Sequence, residues 1–160
     1  MPTTPTIEPL VQQVPAAVTR PLRQRLLKQN STLHDLAKSD GDFPEAGYYA
    51  VLSGDNRVLA VASARPEAPS WPHTARNPWR IRGVVTIETD RGRGLGTSVV
   101  CAVLNHIRKN GGDLAWLNGR TPARQFYRHL GFEQVGDDWN DPESGPHMTM
   151  AIPLGSTWGD

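Results

Sequence analysis

The order of apolar runs predicts an α/β fold, and three observations carry that prediction. Period-two runs rich in β-branched and aromatic residues alternate, in the second half of the chain, with two amphipathic helical patterns. One of those strands, Ile81 to Glu88, runs straight into the glycine-rich stretch Arg91-Gly92-Arg93-Gly94-Leu95-Gly96 and then into the most strongly amphipathic helix. Fifteen glycines and fourteen prolines in 160 residues punctuate these runs with turns. The sequence thus reads as a helical N-terminal region, a β-hairpin, and then β-α-β-α-β-β without an internal repeat. A chain of this length encloses one core comfortably, so a single domain over 1–160 is expected, with frayed ends at 1–5 and 155–160.

Val18, Leu22 and Leu26 recur every four residues between Pro15 or Pro21 and Asn30, with Arg and Gln on the other face, the pattern of a surface helix. A second short helix is expected over Thr32 to Lys38, capped by Ser31 or Thr32, with Leu33 and Leu36 inward. Tyr48 to Leu52 and Val58 to Ala64 form an antiparallel hairpin about Ser53-Gly54-Asp55-Asn56. Residues 65 to 79 combine four prolines and two tryptophans without periodicity, which predicts a partly apolar loop that serves as a substrate-facing lip. After the glycines, Leu95, Val99, Val100, Val103, Leu104 and Ile107 mark one helix face, ended by Gly111-Gly112. A strand at 114–118, a helix at 122–130 entered through Thr121-Pro122, and strands at 132–136 and 147–153 complete the order.

Composition excludes several classes. Seventeen basic against sixteen acidic residues give a formal charge of +1, so no global field holds the chain on nucleic acid or an anionic membrane. The arginines at 76, 80, 82, 91 and 93 come without a stacking-aromatic module, which leaves nucleic-acid binding a remote reading. The N-terminus has no signal-peptide pattern, and no run approaches the roughly 20 apolar residues that span a bilayer. The single cysteine, Cys101, forms no internal disulfide and no metal-type spacing, which points to a reducing cytoplasm and no metal.

A strand that turns through glycines into a helix presents free backbone N–H groups and the positive end of the helix dipole at one place, an arrangement suited to phosphate. A dinucleotide fingerprint needs GxGxxG and a P-loop needs GxxxxGK, and residues 92 to 98, GRGLGTS, satisfy neither. A simple helix-capping turn remains the structural alternative. The stretch does satisfy Arg, two residues, Gly, one residue, Gly, as Arg91, Gly94 and Gly96. About 30 residues on, Ala123-Arg-Gln-Phe-Tyr127-Arg-His-Leu-Gly131-Phe132 adds a second pattern, A-x-x-hydrophobic-Tyr-x-x-x-Gly-Phe. Together these resemble the two signatures of the GNAT superfamily of N-acetyltransferases. The resemblance covers about 47 to 153 and is most specific from Val85 to Phe132. Trp79-Arg-Ile-Arg-Gly83, Trp116-Leu-Asn-Gly-Arg120 and Gly145-Pro-His-Met148 are similar to a bacterial subgroup acting on small molecules.

The resemblance implies a mixed, mostly antiparallel central sheet flanked by helices, with a splayed central strand pair, and acetyl-CoA as cosubstrate to an amine acceptor. It implies that Val84, Val85 and Thr86 meet the pantetheine arm and acyl carbonyl, and that Arg91, Gly92, Arg93, Gly94, Leu95, Gly96 and Thr97 hold the pyrophosphate. Asn118, Ala123, Phe126 and Tyr127 complete the coenzyme wall, with Trp116, Asn118 and Arg120 also placed to line the acceptor side. Acyl transfer from a thioester passes through an oxyanion, which a backbone N–H stabilises, and releases a thiolate, which a hydroxyl can protonate. Tyr127 matches the family's general acid.

The base is less legible. Where family members often carry a glutamate on the strand before the glycines, this chain has Arg80 and Ile81, a departure that leaves the base unassigned by resemblance. His147, an imidazole beside Gly145-Pro146, is the first substitute. Glu88 and Asp90 are alternatives that read more simply as solvated charges, and His73 is a loop histidine within reach of a substrate. His34, His106 and His129 read as incidental. A non-catalytic acyl-CoA sensor on the same fold would keep the glycines but need no Tyr127. The final strands leave an edge through which a homodimer can form.

Overall fold

A computed structural model describes residues 10–87 and 94–155. Glu88, Asp90, Arg91, Gly92 and Arg93 lie outside the described residues, as do 1–5 and 156–160 of the two ends expected to fray. The order is β1 (Leu10–Gln13), α1 (Ala16–Leu26), α2 (Leu33–Asp40), β2 (Gly47–Leu52), β3 (Val58–Pro66), β4 (Pro78–Thr86), α3 (Leu95–Lys109), β5 (Leu114–Arg120), α4 (Arg124–His129), β6 (Glu133–Asp141) and β7 (Gly145–Pro153). A 3-10 turn over Thr121–Ala123 leads into α4. The seven strands form a mixed, mostly antiparallel sheet in the order β1-β2-β3-β4-β5-β7-β6, the expected α/β class. Each of the six α3 positions with helical period is buried, from Leu95 to Ile107.

Two compact units divide the described chain: residues 10–42, 47–63, 83–87 and 94–103 form one, and residues 43–46, 64–82 and 104–155 the other. In the first, β1 pairs antiparallel with β2, from Leu10↔Leu52 to Gln13↔Tyr49. No strand is expected there from the sequence, because four residues give too short an alternation to read and Leu10 is 65% exposed. The hairpin turn closes through the Ser53 and Asn56 amides, with Asn56 at φ 64°. In α2, Thr32 caps the Asp35 amide at 3.0 Å while Asp35 returns a bond from the Thr32 amide at 2.9 Å, a capping box. Leu36 is buried as expected, but Leu33 stands 45% exposed, because the first turn of an eight-residue helix projects beyond the face that packs.

One reading of α1 is corrected. Arginines there are expected on the solvent face, yet Arg23 is only 5% exposed. Its guanidinium holds both Asp40 oxygens, Nη1 at 3.0 Å and Nη2 at 2.6 Å, and Nη1 also donates to Thr19 Oγ1 at 3.2 Å. A buried charge is tolerable only with such a partner, and periodicity within one helix says nothing about a partner on the next. The Arg23 chain also lies over Gly83, where an added Cβ would meet its Nε at 3.0 Å. Gly83 adopts φ 63° inside β4, a backbone state that a side chain disfavours, so glycine serves both the turn of the chain and the space.

In the second unit, β4 and β5 run parallel from Pro78↔Leu114 to Arg80↔Trp116. The ladder stops there and the two strands splay. Antiparallel pairing of β5 with β7 runs the full length, from Leu114↔Pro153 to Arg120↔His147, and β6 closes the edge with an irregularity between Val135 and Trp139. β6 extends to Asp141, further than the run 132–136 suggests, because Gly136, Asp137 and Asp138 interrupt the alternation and pairing resumes at Trp139. The loop between β3 and β4 is tied down by Asp113, whose carboxylate accepts from the Arg76 amide at 2.8 Å and the Asn77 amide at 2.9 Å.

Candidate functional site

In the first unit, β4 ends with Val84 and Thr86 half-buried and Val85 buried, and the Ile87 amide donates to the Leu59 carbonyl at 2.9 Å. Helix α3 then begins at Leu95. The Gly94 carbonyl accepts from the Ser98 amide and from Ser98 Oγ, each at 3.0 Å. The amides of Leu95, Gly96 and Thr97 precede that first helical bond and so have no partner within the helix. No acidic residue stands in the first turn, and His106, Arg108 and Lys109 occupy the last, so the side chains leave the dipole's positive end available to an anion. Gly94 sits at φ 79°, and among the described residues nothing lies within 4 Å of the place where its Cβ would be. At Gly94 the described residues therefore leave the backbone open to an approaching group, an arrangement that fits a phosphate.

In the second unit, Tyr127 of α4 is 6% exposed, edge-on to Phe126 at 4.9 Å and to Phe132 at 5.5 Å between ring centroids. Ala123 and Phe126 beside it are half-buried. Burial pushes the Tyr127 phenol well above its ordinary value, so the hydroxyl is protonated at any working pH. It is a proton or hydrogen-bond donor, never a base.

His147 makes a different arrangement. Its ring stacks on Trp139, centroids 4.8 Å apart and planes at 27°, and Nδ1 lies 2.8 Å from the Gly145 carbonyl. A carbonyl only accepts, so Nδ1 carries the hydrogen, and in the neutral ring Nε2 holds the lone pair a base would use. Strand alternation separates this histidine from the tyrosine. Asn118 and Arg120 stand across from Thr149 and His147 on one face of the β5–β7 pair, with Thr149 Oγ1 donating to Asn118 Oδ1 at 2.8 Å. Leu117, Gly119 and Met148 occupy the other face, and a Cβ on Gly119 would lie 3.5 Å from Tyr127 Cε2. Tyr127 and His147 thus belong to opposite faces of the sheet.

On the His147 face the second unit holds a cavity of about 380 Å³, lined by Glu67, Trp71, Trp116, Asn118, Trp139 and Thr149 among others. Trp116 is 6% exposed and donates from Nε1 to the Glu67 carbonyl at 2.8 Å, so it packs as core and also forms a wall. Arg65 and Arg80 hold the Glu67 carboxylate, Arg65 Nη2 at 2.9 Å from Oε1 and Arg80 Nη1 at 3.1 Å from Oε2. Burial pushes Glu67 upward, but the Arg65 and Arg80 hydrogen bonds and charges outweigh it and hold the carboxyl below the ordinary range. Arg80 also lies over the Trp116 ring at 5.0 Å.

Sequence reasoning names Asn118, Trp116 and His147 here and misses Glu67, Trp71, Trp139 and Thr149. The one available signal is the pair of opposite charges bracketing the Pro- and Trp-rich loop, Glu67 and Arg80. His73 does not line this cavity: it is exposed, and its Nδ1 accepts from the Ala75 amide at 3.1 Å. Among the described residues, no group of three or more His, Cys, Asp or Glu side chains is placed to hold a metal ion. Nor is any described helix long and apolar enough to cross a membrane.

Comparison with known proteins bears on the same elements. The Acetyltransferase (GNAT) family model matches residues 18–132, more than half of the chain. The uncharacterized N-acetyltransferase YitI of Bacillus subtilis (strain 168) is 23% identical over 140 residues, covering 88% of this chain and 93% of its own. Among solved structures, an aminoglycoside 6'-N-acetyltransferase complexed with coenzyme A superposes with a TM-score of 0.70 at 13% identity, over 90% of this chain and 96% of that one. The ribosomal-protein-S18-alanine N-acetyltransferase of Escherichia coli gives 0.70 at 14% identity, over 93% and 97%. At these identities the structures establish a common fold, while the family model, spanning β4, α3 and α4, establishes descent: the chain belongs to the GNAT acetyltransferase family.

Proposed function

We propose that the protein transfers an acetyl group from acetyl-CoA to an amine of a small molecule by direct attack in a ternary complex. The observation that carries the proposal is the turn into α3: Gly94 at positive φ with no described residue within 4 Å of its Cβ position, followed by amides that have no partner within the helix and no acidic side chain in the first turn. Arg91, two residues before the proposed Arg93 contact, adds a guanidinium to the same pyrophosphate subsite. Gly92, Gly94, Leu95, Gly96 and Thr97 supply backbone, and Val84, Val85 and Thr86 supply the strand amides for the pantetheine arm and the acyl carbonyl. Asn118, Ala123 and Phe126 form the remaining wall.

The nitrogen lone pair attacks the thioester carbonyl, an N–C bond forms, and the C–S bond breaks with the electron pair leaving on sulfur. A strand amide faces the developing oxyanion. Tyr127 donates to the departing sulfur. Because burial raises the phenol far above a thiol, whose value is near 8.5, it keeps its proton and its work is hydrogen-bond donation to the sulfur as the charge builds, the released thiolate taking its proton from solvent. His147 Nε2 takes the amine proton, directly or through water. With the two groups on opposite sheet faces, the donor to sulfur and the acceptor of the amine proton are separate groups, so one does not quench the other. The lone Cys101, exposed on α3, suits a reducing cytoplasm.

Calorimetric titration with acetyl-CoA and with free CoA tests this reading, beside an Arg91→Ala, Gly94→Ala double variant. Micromolar binding that vanishes in the variant supports it, and thiol release on adding an amine completes it. Binding without thiol release from any amine would turn the reading toward an acyl-CoA sensor. A folded wild-type protein that binds neither coenzyme form would sink it.

A further inference from the structure

The cavity on the His147 face says something about the acceptor, an inference that rests on the acyltransferase reading for the chemistry but not for the binding. Its walls include three tryptophans, Trp71, Trp116 and Trp139, a surface suited to a flat apolar body. Among the described residues Glu67 is the one acidic group of the lining, and both of its oxygens are held by arginines. Arg65, Glu67 and Arg80 together carry one net positive charge. An incoming ammonium therefore finds no free carboxylate, and a polyamine would be repelled.

Hydrogen-bonding capacity points the same way. Asn118 Oδ1 is engaged by Thr149, which leaves the Asn118 amide nitrogen as a donor into the cavity. Arg80 bears five N–H groups, and among the described residues one bond is formed, from Nη1 to Glu67. Its Nε is buried without a partner, and so is Trp71 Nε1. Arg80 is not itself a lining residue; it lies behind two of them, bonded to Glu67 and 5.0 Å over the Trp116 ring, and with 30% of its side chain exposed its guanidinium stands at the rim. A pocket with spare donors, surplus positive charge and flat apolar walls is complementary to an anion on a ring-bearing molecule.

We propose that this cavity binds the acceptor, and that the acceptor is a monoamine carrying a flat ring and a carboxylate, with the ring among the tryptophans and the carboxylate on Arg80 and Asn118. Arg80 is then a specificity-determining residue.

Binding of four probes to the whole protein by calorimetry tests the proposal without requiring turnover. L-phenylalanine has ring, amine and carboxylate, phenethylamine lacks the carboxylate, L-alanine lacks the ring, and spermidine is a polycation. Phenylalanine should bind at least about tenfold more tightly than the other three, the scale of one charge-assisted hydrogen bond. The advantage over phenethylamine should disappear in Arg80→Gln and be partly kept in Arg80→Lys. Phenethylamine or spermidine binding as tightly as phenylalanine would overturn the proposal, as would absence of binding by all four. The wild-type comparison stands alone if Arg80→Gln fails to fold. Acetyl-CoA titrated separately distinguishes the two readings: coenzyme bound with no discrimination among probes removes the acceptor assignment only, whereas phenylalanine bound without coenzyme removes the transferase and leaves the pocket.

Discussion

Arg23 and Asp40 form a bidentate ion pair in the interior of the first unit, 3.0 and 2.6 Å between the guanidinium nitrogens and the two carboxylate oxygens. Asp40 is 1% exposed and also receives Arg20 Nε at 3.1 Å. The pair ties α1 to the end of α2, and the Arg23 chain continues over the Gly83 backbone of β4. An element far from any reacting atom thus braces the strand whose next residues are proposed to meet the acyl group.

Removing one partner leaves a buried charge without compensation. Asp40→Ala should lower stability by about 3–5 kcal/mol, with Asp40→Asn milder because its amide still accepts one bond. Urea unfolding monitored by far-UV circular dichroism measures this. A variant within 1 kcal/mol of wild type would show that the pair orders the helices without stabilising them.

Gly83 offers a second, smaller lesion. Gly83→Ala forces a side chain into a positive φ and against Arg23, so it should destabilise by about 1–2 kcal/mol. Differential scanning calorimetry of the variant gives the magnitude. Unchanged melting would mean that β4 relaxes at no cost.

Tyr127→Phe should reduce kcat by about 10²-fold, as for loss of a hydrogen-bond donor to a developing charge, while the dissociation constant of acetyl-CoA stays within about twofold. The same substitution has an alkaline signature. Because the folded phenol is raised above its unfolded value near 10, the folded state holds the proton where the unfolded state releases it. Tyr127 thus contributes its full stabilisation below about pH 10 and loses it as pH climbs higher, and the phenylalanine variant should lack that part of the alkaline decline.

His147→Gln should lower kcat by about 10²-fold in initial rates at saturating acetyl-CoA, leaving acetyl-CoA binding intact. The glutamine keeps polarity but cannot accept and carry a proton. An unaltered kcat would assign the deprotonation to solvent.

Asp113→Ala should release the loop 67–77, because two backbone amides lose their acceptor. The acceptor KM should rise several-fold with kcat little changed, measured by initial rates at saturating acetyl-CoA. Asp113 also makes this loop acid-sensitive. Burial pushes its carboxyl up, the Arg76 and Asn77 amides outweigh that and hold it low, and the support they provide is present above the ordinary carboxylate value and is lost as pH falls below it.

Much of the fold was legible because it is locally encoded. The six apolar positions of α3 repeat with helical period, Thr32 and Asp35 are spaced for a capping box, and Ser53-Gly54-Asp55-Asn56 supplies a positive-φ position at Asn56. The glycine turn was legible for the same reason, since Gly94 records in one residue a backbone state that other residues avoid. Leu10–Gln13 was not, because its identity as a strand comes from its pairing with β2 rather than from its own side chains. The cavity of the second unit is the extreme case: Glu67, Trp116, Trp139 and Thr149 come from a loop and three strands, and no spacing relates them.

By itself, then, the sequence determined the α/β class, the glycine turn between β4 and α3, and the tyrosine helix that mark the family, because each is written in residues a few positions apart. Only the tertiary structure decided that Arg23 turns inward to Asp40, that Tyr127 and His147 lie on opposite sheet faces, and that Arg80 answers Glu67 beside three tryptophans. Those relations depend on which strand pairs with which and in what register, and a shift of one residue would exchange the two faces of the sheet.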